Sequence, residues 1–266
     1  MIRIHIAACT DKGARQSNED DLRFGSARNG WYAVLADGAG GHRAGAEAAQ
    51  RAVQRVQGML CDDAVAFSPA NLTQIVQLAH AELVNNQSGG DATNRMHCTL
   101  VVLWIDPESE HVLWTHVGDS RLYRIRHGRV DVMTSDDSVV QHMLQTGLIN
   151  AEQALNHPKK NQLLAALGIE GELEPHTVVR PVDLKEGDAF LLCSDGWWEH
   201  FDHALLVRSL VQALTPQDWL DAMQAQVRAQ NKPRQDNYSA LAVWAGNPAE
   251  VTQPGAEDTQ PRGRPS

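Results

Sequence analysis

The sequence predicts an α+β fold: a four-layer α-β-β-α sandwich, with two mainly antiparallel sheets flanked by helices. Three observations carry this expectation. Apolar strand-like runs are many and connect mostly through hairpins. Helical patterns come in two pairs, one early and one late, instead of alternating regularly with strands as in a doubly wound fold. Several strands are apolar at nearly every position, as expected where both faces are covered.

Taken in order, residues 2–8 alternate and read as a first strand. Residues 10–21 are polar and loop-like. Residues 31–36 form an apolar strand that stops at Asp37, where Gly38, Ala39, Gly40 and Gly41 allow a tight turn. His42 follows, and Ala49, Ala52, Val53, Val56 and Leu60 recur at helical spacing. Ser68 and Pro69 cap a second helix, with Leu72, Ile75, Val76, Ala79 and Leu83 on one face. Residues 87–94 are a loop, and 96–105 a strand apolar at nearly every position. Strands at 112–117 and 122–125 flank Gly118 to Arg121, and His127-Gly128 turns into a strand at 130–133. Residues 138–147 read as helix. Residues 148–168 carry mixed signals and are expected to form a mobile flap. Strands at 177–182 and 189–193 come next, the second ending in Ser194-Asp195-Gly196. Two helices follow, one starting near Asp202 and one capped by Thr215-Pro216. A last strand spans 238–245. Residues 1–246 are thus expected to form one domain, and 247–266, rich in Pro, Gln, Gly and charge, a disordered tail.

The formal net charge of −10 over 266 residues argues against nucleic acid or an anionic membrane as the main partner. Phosphoprotein substrates stay open, because a bound metal supplies local positive charge. Four cysteines without a Cys-x-x-Cys pair read as free thiols in a reducing compartment. With no signal-peptide core and no run long enough to span a bilayer, a cytoplasmic protein is expected.

The strand ends carry the chemistry. Three apolar runs each deliver an aspartate next to a glycine: Asp37, Asp119 and Asp195. Asp20 and Asp236 stand just outside two further strands. One Asp-Gly pair alone reads as a turn. Several in one chain suggest a shared cluster, which repels itself unless cations neutralise it. Oxygen-only ligands select hard ions, Mg²⁺ or Mn²⁺. Two such ions about 3.5–4 Å apart would activate a water for in-line attack on phosphorus. No histidine or cysteine pair has zinc spacing, and no P-loop or Gly-x-Ser-x-Gly elbow is present.

Arg15-x-x-Asn18-Glu19-Asp20, Asp37-Gly38-x-Gly40-Gly41-His42, Val117-Gly118-Asp119-Ser120-Arg121, Ser194-Asp195-Gly196 and Asp236-Asn237 occur in that order. Together they resemble the bacterial metal-dependent Ser/Thr protein phosphatases of the type 2C (PPM) family, across about residues 7–245. The resemblance implies a β-sandwich flanked by helices and direct hydrolysis of phosphoserine or phosphothreonine. It implies that Asp37 bridges two metals, with the Gly38 carbonyl as a further ligand. Asp20 and Glu19 would hold one ion, and Asp195 and Asp236 the other. Asp119 would hold a third, weaker ion, with Glu199 either a second ligand there or a plain surface charge. Arg15 would clamp the phosphate. His42 would be a general acid, or a helix N-terminal residue without a catalytic part. A monomer opposed to a partner Ser/Thr kinase is the implied setting. Two departures are His97-Cys98-Thr99, where small residues are usual, and Asp137, where histidine is common. Alternatives from other classes are a degenerate phosphoprotein-binding regulator and a hydrolase of small phosphate esters.

Overall fold

The computed structural model describes residues 2–28, 30–39, 42–87, 95–155, 157–230 and 232–248; for His42, Arg43 and Leu155 it describes the backbone alone. The expected tail lies outside the described residues from 249 onward.

Two antiparallel sheets stack face to face. The first has five strands in the order β1 (Ile4–Asp11), β12 (Tyr238–Ala245), β11 (Ala189–Cys193), β7 (Arg121–Arg126) and β8 (Arg129–Val132). The second runs β10 (Val182–Asp183), β6 (His111–Val117), β5 (Leu100–Asp106), β3 (Gly30–Ala39) and β2 (Asp20–Ala27). Two short strands extend it: β4 (His97–Cys98) on β3 and β9 (His176–Thr177) on β6.

Alternation sorts the strand residues into three apolar layers. Between the sheets lie Leu35, Leu103, Phe190, Leu192, Leu241 and Val243. On the outer face of the second sheet, Val34, Val102 and Trp104 meet α1 (His42–Leu60) and α2 (Pro69–Asn85) through Val53, Val56, Leu72 and Ile75. On the outer face of the first, Leu191, Ala242 and Trp244 meet α6 (His203–Gln212) and α7 (Pro216–Gln230) through Leu206, Trp219 and Met223. Each buried Val, Leu, Ile, Phe or Met among these contributes roughly 1.5–3 kcal/mol. The four expected layers are therefore present. The caps also form: Ser68 Oγ accepts from Asn71 N at 3.2 Å and Asp202 Oδ1 from Leu205 N at 2.7 Å.

The structure corrects four sequence expectations. Residues 20–27, which carry no clear period, form β2; it is an edge strand with no fully buried face, so its alternation is weak. The single strand expected at 96–105 is broken at Thr99, whose N–H and side-chain oxygen both turn to the Asp37 backbone. The strand expected at 177–182 reduces to the two-residue β9 and β10. The 148–168 segment contains α4 (Ala151–Leu155), and Leu164 N donates to Asp137 O at 2.7 Å. Two further helices, α3 (Val139–Gln145) and α5 (Asp195–Trp198), complete the set among the described residues. The first was expected and the second was not.

Candidate active site

Five carboxylates reach one end of the sandwich because strands of both sheets end or begin there. Asp20 opens β2 and stands directly across from Asp37 near the end of β3. Asp119 follows β6 through Gly118. In the other sheet Asp195 follows β11 and opens α5, and Asp236 precedes the neighbouring β12. Arg15, Glu19, Asp37, Gly38, Asp119, Asp195 and Asp236 all line one cavity of about 250 Å³. Thr99, Asn161, Leu163 and Asn237 complete much of its wall. Asp20 sits beside it.

The electrostatics are those of crowded like charges. Asp37 is raised well above the usual carboxylate range, first by burial, then by the charges of Asp20, Asp195, Asp119 and Asp236. Burial likewise pushes Asp195 well up, with Asp119, Asp236 and Glu199 adding repulsion. Asp20 is raised to about 6, mainly by burial. Asp119 is raised to about 7, by burial and then by Asp136. Asp20 Oδ2 accepts from Ser194 Oγ at 2.9 Å, whereas Asp20 Oδ1 is buried with no hydrogen-bond partner. A buried carboxylate oxygen left unpaired is costly, and a hard cation is the partner that would satisfy it. Donor chemistry and the orphaned oxygen therefore both fit Mn²⁺ or Mg²⁺.

The supporting shell is equally specific. Asp37 N donates to Thr99 Oγ1 at 3.0 Å, and Thr99 N returns a bond to Asp37 O at 2.8 Å. Asn237 ties the early loop to β12: its Oδ1 accepts from Glu19 N, and its Nδ2 donates to the Lys12 and Ser17 carbonyls, all at 2.9 Å. Gly38 is required by contact, because a Cβ there would lie 2.4 Å from the Gly45 backbone. Gly118 adopts φ +94°, and its missing side chain leaves room for Thr99.

Sequence reasoning missed the positioning roles of Ser194 and Asn237, although both lie inside quoted motifs. It also missed Asn161 and Leu163, which reach the cavity from the 148–168 segment and carry no local signal. Glu199 lies with Asp119 and Asp195 in an adjoining groove of about 620 Å³ and is ion-paired with Lys160 at 2.7 Å. His42 begins α1, and its side chain lies outside the described residues. Asp137 turns its carboxylate to Gly118 N and His176.

Residues 11–232 match the family model for protein phosphatase 2C. The serine/threonine phosphatase stp of Listeria monocytogenes is 38% identical over 204 residues, covering 73% of this chain and 77% of that one. The solved serine/threonine phosphatase of S. agalactiae superposes with a TM-score of 0.83 at 26% identity, over 91% of this chain and all of the other. The catalytic domain of the serine/threonine protein phosphatase PstP, solved in complex with two manganese ions, gives 0.79 at 26% identity, over 92% of this chain and all of that one. No helix among the described residues is long and apolar enough to cross a membrane. The shared fold, the carboxylate-lined cavity and the match over most of the chain lead to one conclusion: this chain belongs to the protein phosphatase 2C family and is a metal-dependent serine/threonine protein phosphatase.

Proposed function

We propose that the cavity holds two Mn²⁺ or Mg²⁺ ions that share Asp37, with Asp20, Glu19 and the Gly38 carbonyl toward one and Asp195 and Asp236 toward the other. Asp119 serves a third, weaker position. The observation that carries this reading is the set of aspartates held up by burial and mutual repulsion around one cavity, with one carboxylate oxygen orphaned. When bound, the ions supply an activated water and offset the charge of the phosphoryl group.

The chain's own residues do the rest. Arg15 presents a guanidinium at the cavity wall, where its planar fork suits two phosphate oxygens. Asn161 and Leu163 line the cavity from the side of the 148–168 segment. His42, at the first turn of α1, is the candidate acid for the leaving seryl or threonyl oxygen. The substrates are phosphoserine and phosphothreonine proteins, the reaction a direct hydrolysis without a covalent intermediate, and the physiological counterpart a partner Ser/Thr kinase.

Turnover of a chromogenic aryl phosphate with Mn²⁺, then with chelator, tests the metal dependence. A phosphopeptide panel run against small phosphate esters tests the substrate class. Equal kcat/KM on both panels would replace the protein-phosphatase assignment of this cavity with a small-ester one.

A further inference from the structure

A second cluster of ligand-type side chains lies apart from the carboxylate cavity. His116 on β6 and His176 on β9 are cross-strand neighbours, and Asp137 joins them from the loop before α3. One potential ligand atom from each lies within 4.8 Å of the other two. Among the described residues no other trio of His, Cys, Asp or Glu meets so closely. None of the three lines the catalytic cavity, and no step above uses them.

The details of the trio are those of a built site. His116 is 4% exposed. Its Nε2 lies 2.9 Å from the Ser135 carbonyl and 3.3 Å from Ser135 N; in the tautomer that donates to the nearer carbonyl, the lone pair is on Nδ1. That Nδ1 is buried and finds no hydrogen-bond partner. An outer hydrogen bond on one imidazole nitrogen is the usual way a protein orients the other toward a metal. Asp137 is oriented too: its Oδ2 accepts from Gly118 N at 3.0 Å, while Oδ1 meets His176 Nε2 at 2.8 Å. The His176 ring stacks on His116, with centroids 4.9 Å apart, and remains exposed at the rim.

We propose that His116, Asp137 and His176 form a binding site for a borderline divalent cation, zinc first, separate from the oxygen-only cluster. Two imidazoles and a carboxylate suit Zn²⁺ far better than Mg²⁺. A tetrahedral zinc with ligand bonds near 2.0–2.1 Å needs ligand atoms roughly 3.3 Å apart. The exposed His176, whose Nε2 lies 2.8 Å from Asp137 Oδ1, must therefore shift to reach tetrahedral spacing, and a fourth position stays open to water. Spacing along the chain could not reveal the site, because β9 is a two-residue strand far from β6 in sequence.

The test is titration of tag-free full-length protein with Zn²⁺ in saturating Mg²⁺, read by calorimetry. Wild type, His176→Gln, Asp137→Asn and Asp236→Asn are compared, with circular dichroism as the folding control. One Zn²⁺ per chain is expected in wild type and in Asp236→Asn, with affinity at least tenfold weaker in His176→Gln and Asp137→Asn. Mn²⁺-dependent turnover of an aryl phosphate should be unchanged in His176→Gln. No uptake under saturating Mg²⁺ overturns the proposal. So does uptake that survives His176→Gln unchanged, or that is lost in Asp236→Asn.

Discussion

Arg15 Nη2 donates to Asp236 Oδ2 at 2.6 Å, joining two residues that lie 221 positions apart in the chain. The candidate phosphate clamp is thereby held against a candidate metal ligand. Asn237 fixes the same loop from the next position along. The guanidinium is about half exposed, so its free edge remains available to a phosphate.

Arg15→Lys keeps the charge and removes the planar fork. An exposed ion pair of this kind stabilises by only about 0–1 kcal/mol, so the melting temperature should hardly move. Loss of bidentate phosphate binding should lower kcat/KM on a phosphothreonine peptide by roughly tenfold. Steady-state kinetics beside a thermal melt checks both halves.

Asp37→Asn and Asp236→Asn should each lower Mn²⁺-dependent turnover by more than about a hundredfold, beyond the 10–100-fold typical of losing a mere outer-shell partner. Far-UV circular dichroism should stay native, because removing one of several repelling charges does not weaken the core. Full activity in either variant would count against shared ions at Asp37.

In chelator, stability should fall as pH rises from about 4 to about 7. The unfolded chain releases its aspartate protons near pH 3.9. The fold holds them longer, with Asp20 raised to about 6 and Asp119 to about 7. The folded state therefore binds more protons across that window, and deprotonation favours unfolding. Mn²⁺ should reverse the trend, adding about 2.7 kcal/mol at a hundred times its Kd. Its effect should grow with pH, since it binds the deprotonated ligands. Melting temperatures at pH 5 and 8, with and without Mn²⁺, give the sign.

Two glycines separate contact from propensity. Gly38→Ala places a Cβ 2.4 Å from the Gly45 backbone and 2.7 Å from Glu19 O, so backbone must move and both stability and turnover should drop. Gly58→Ala in α1 meets nothing within 4 Å and should stabilise by about 0.5–1 kcal/mol with activity intact. Urea melts of the two variants measure the contrast.

The layers and the acidic constellation were legible because each rests on a local pattern. Buried strands such as β11, and β5 up to Ile105, are apolar throughout, and each key aspartate ends or borders such a run. What escaped reading depends on distant partners. The β2 strand has intermediate burial along most of its length and so shows no clean alternation. Ser194 acts by donating to Asp20 across 174 positions, and Asn237 by holding Glu19 across 218. Asn161 and Leu163 reach the cavity from a segment whose composition says little about where it packs.

The placement of β12 between β1 and β11 sets an order of events during synthesis. The first of the described strands has its sheet neighbour in the last of them, paired from Ile4–Ala245 to Asp11–Tyr238. Asp236 arrives immediately before that late strand. A nascent chain released short of it therefore leaves β1 without its partner in the sheet and lacks one of the carboxylates.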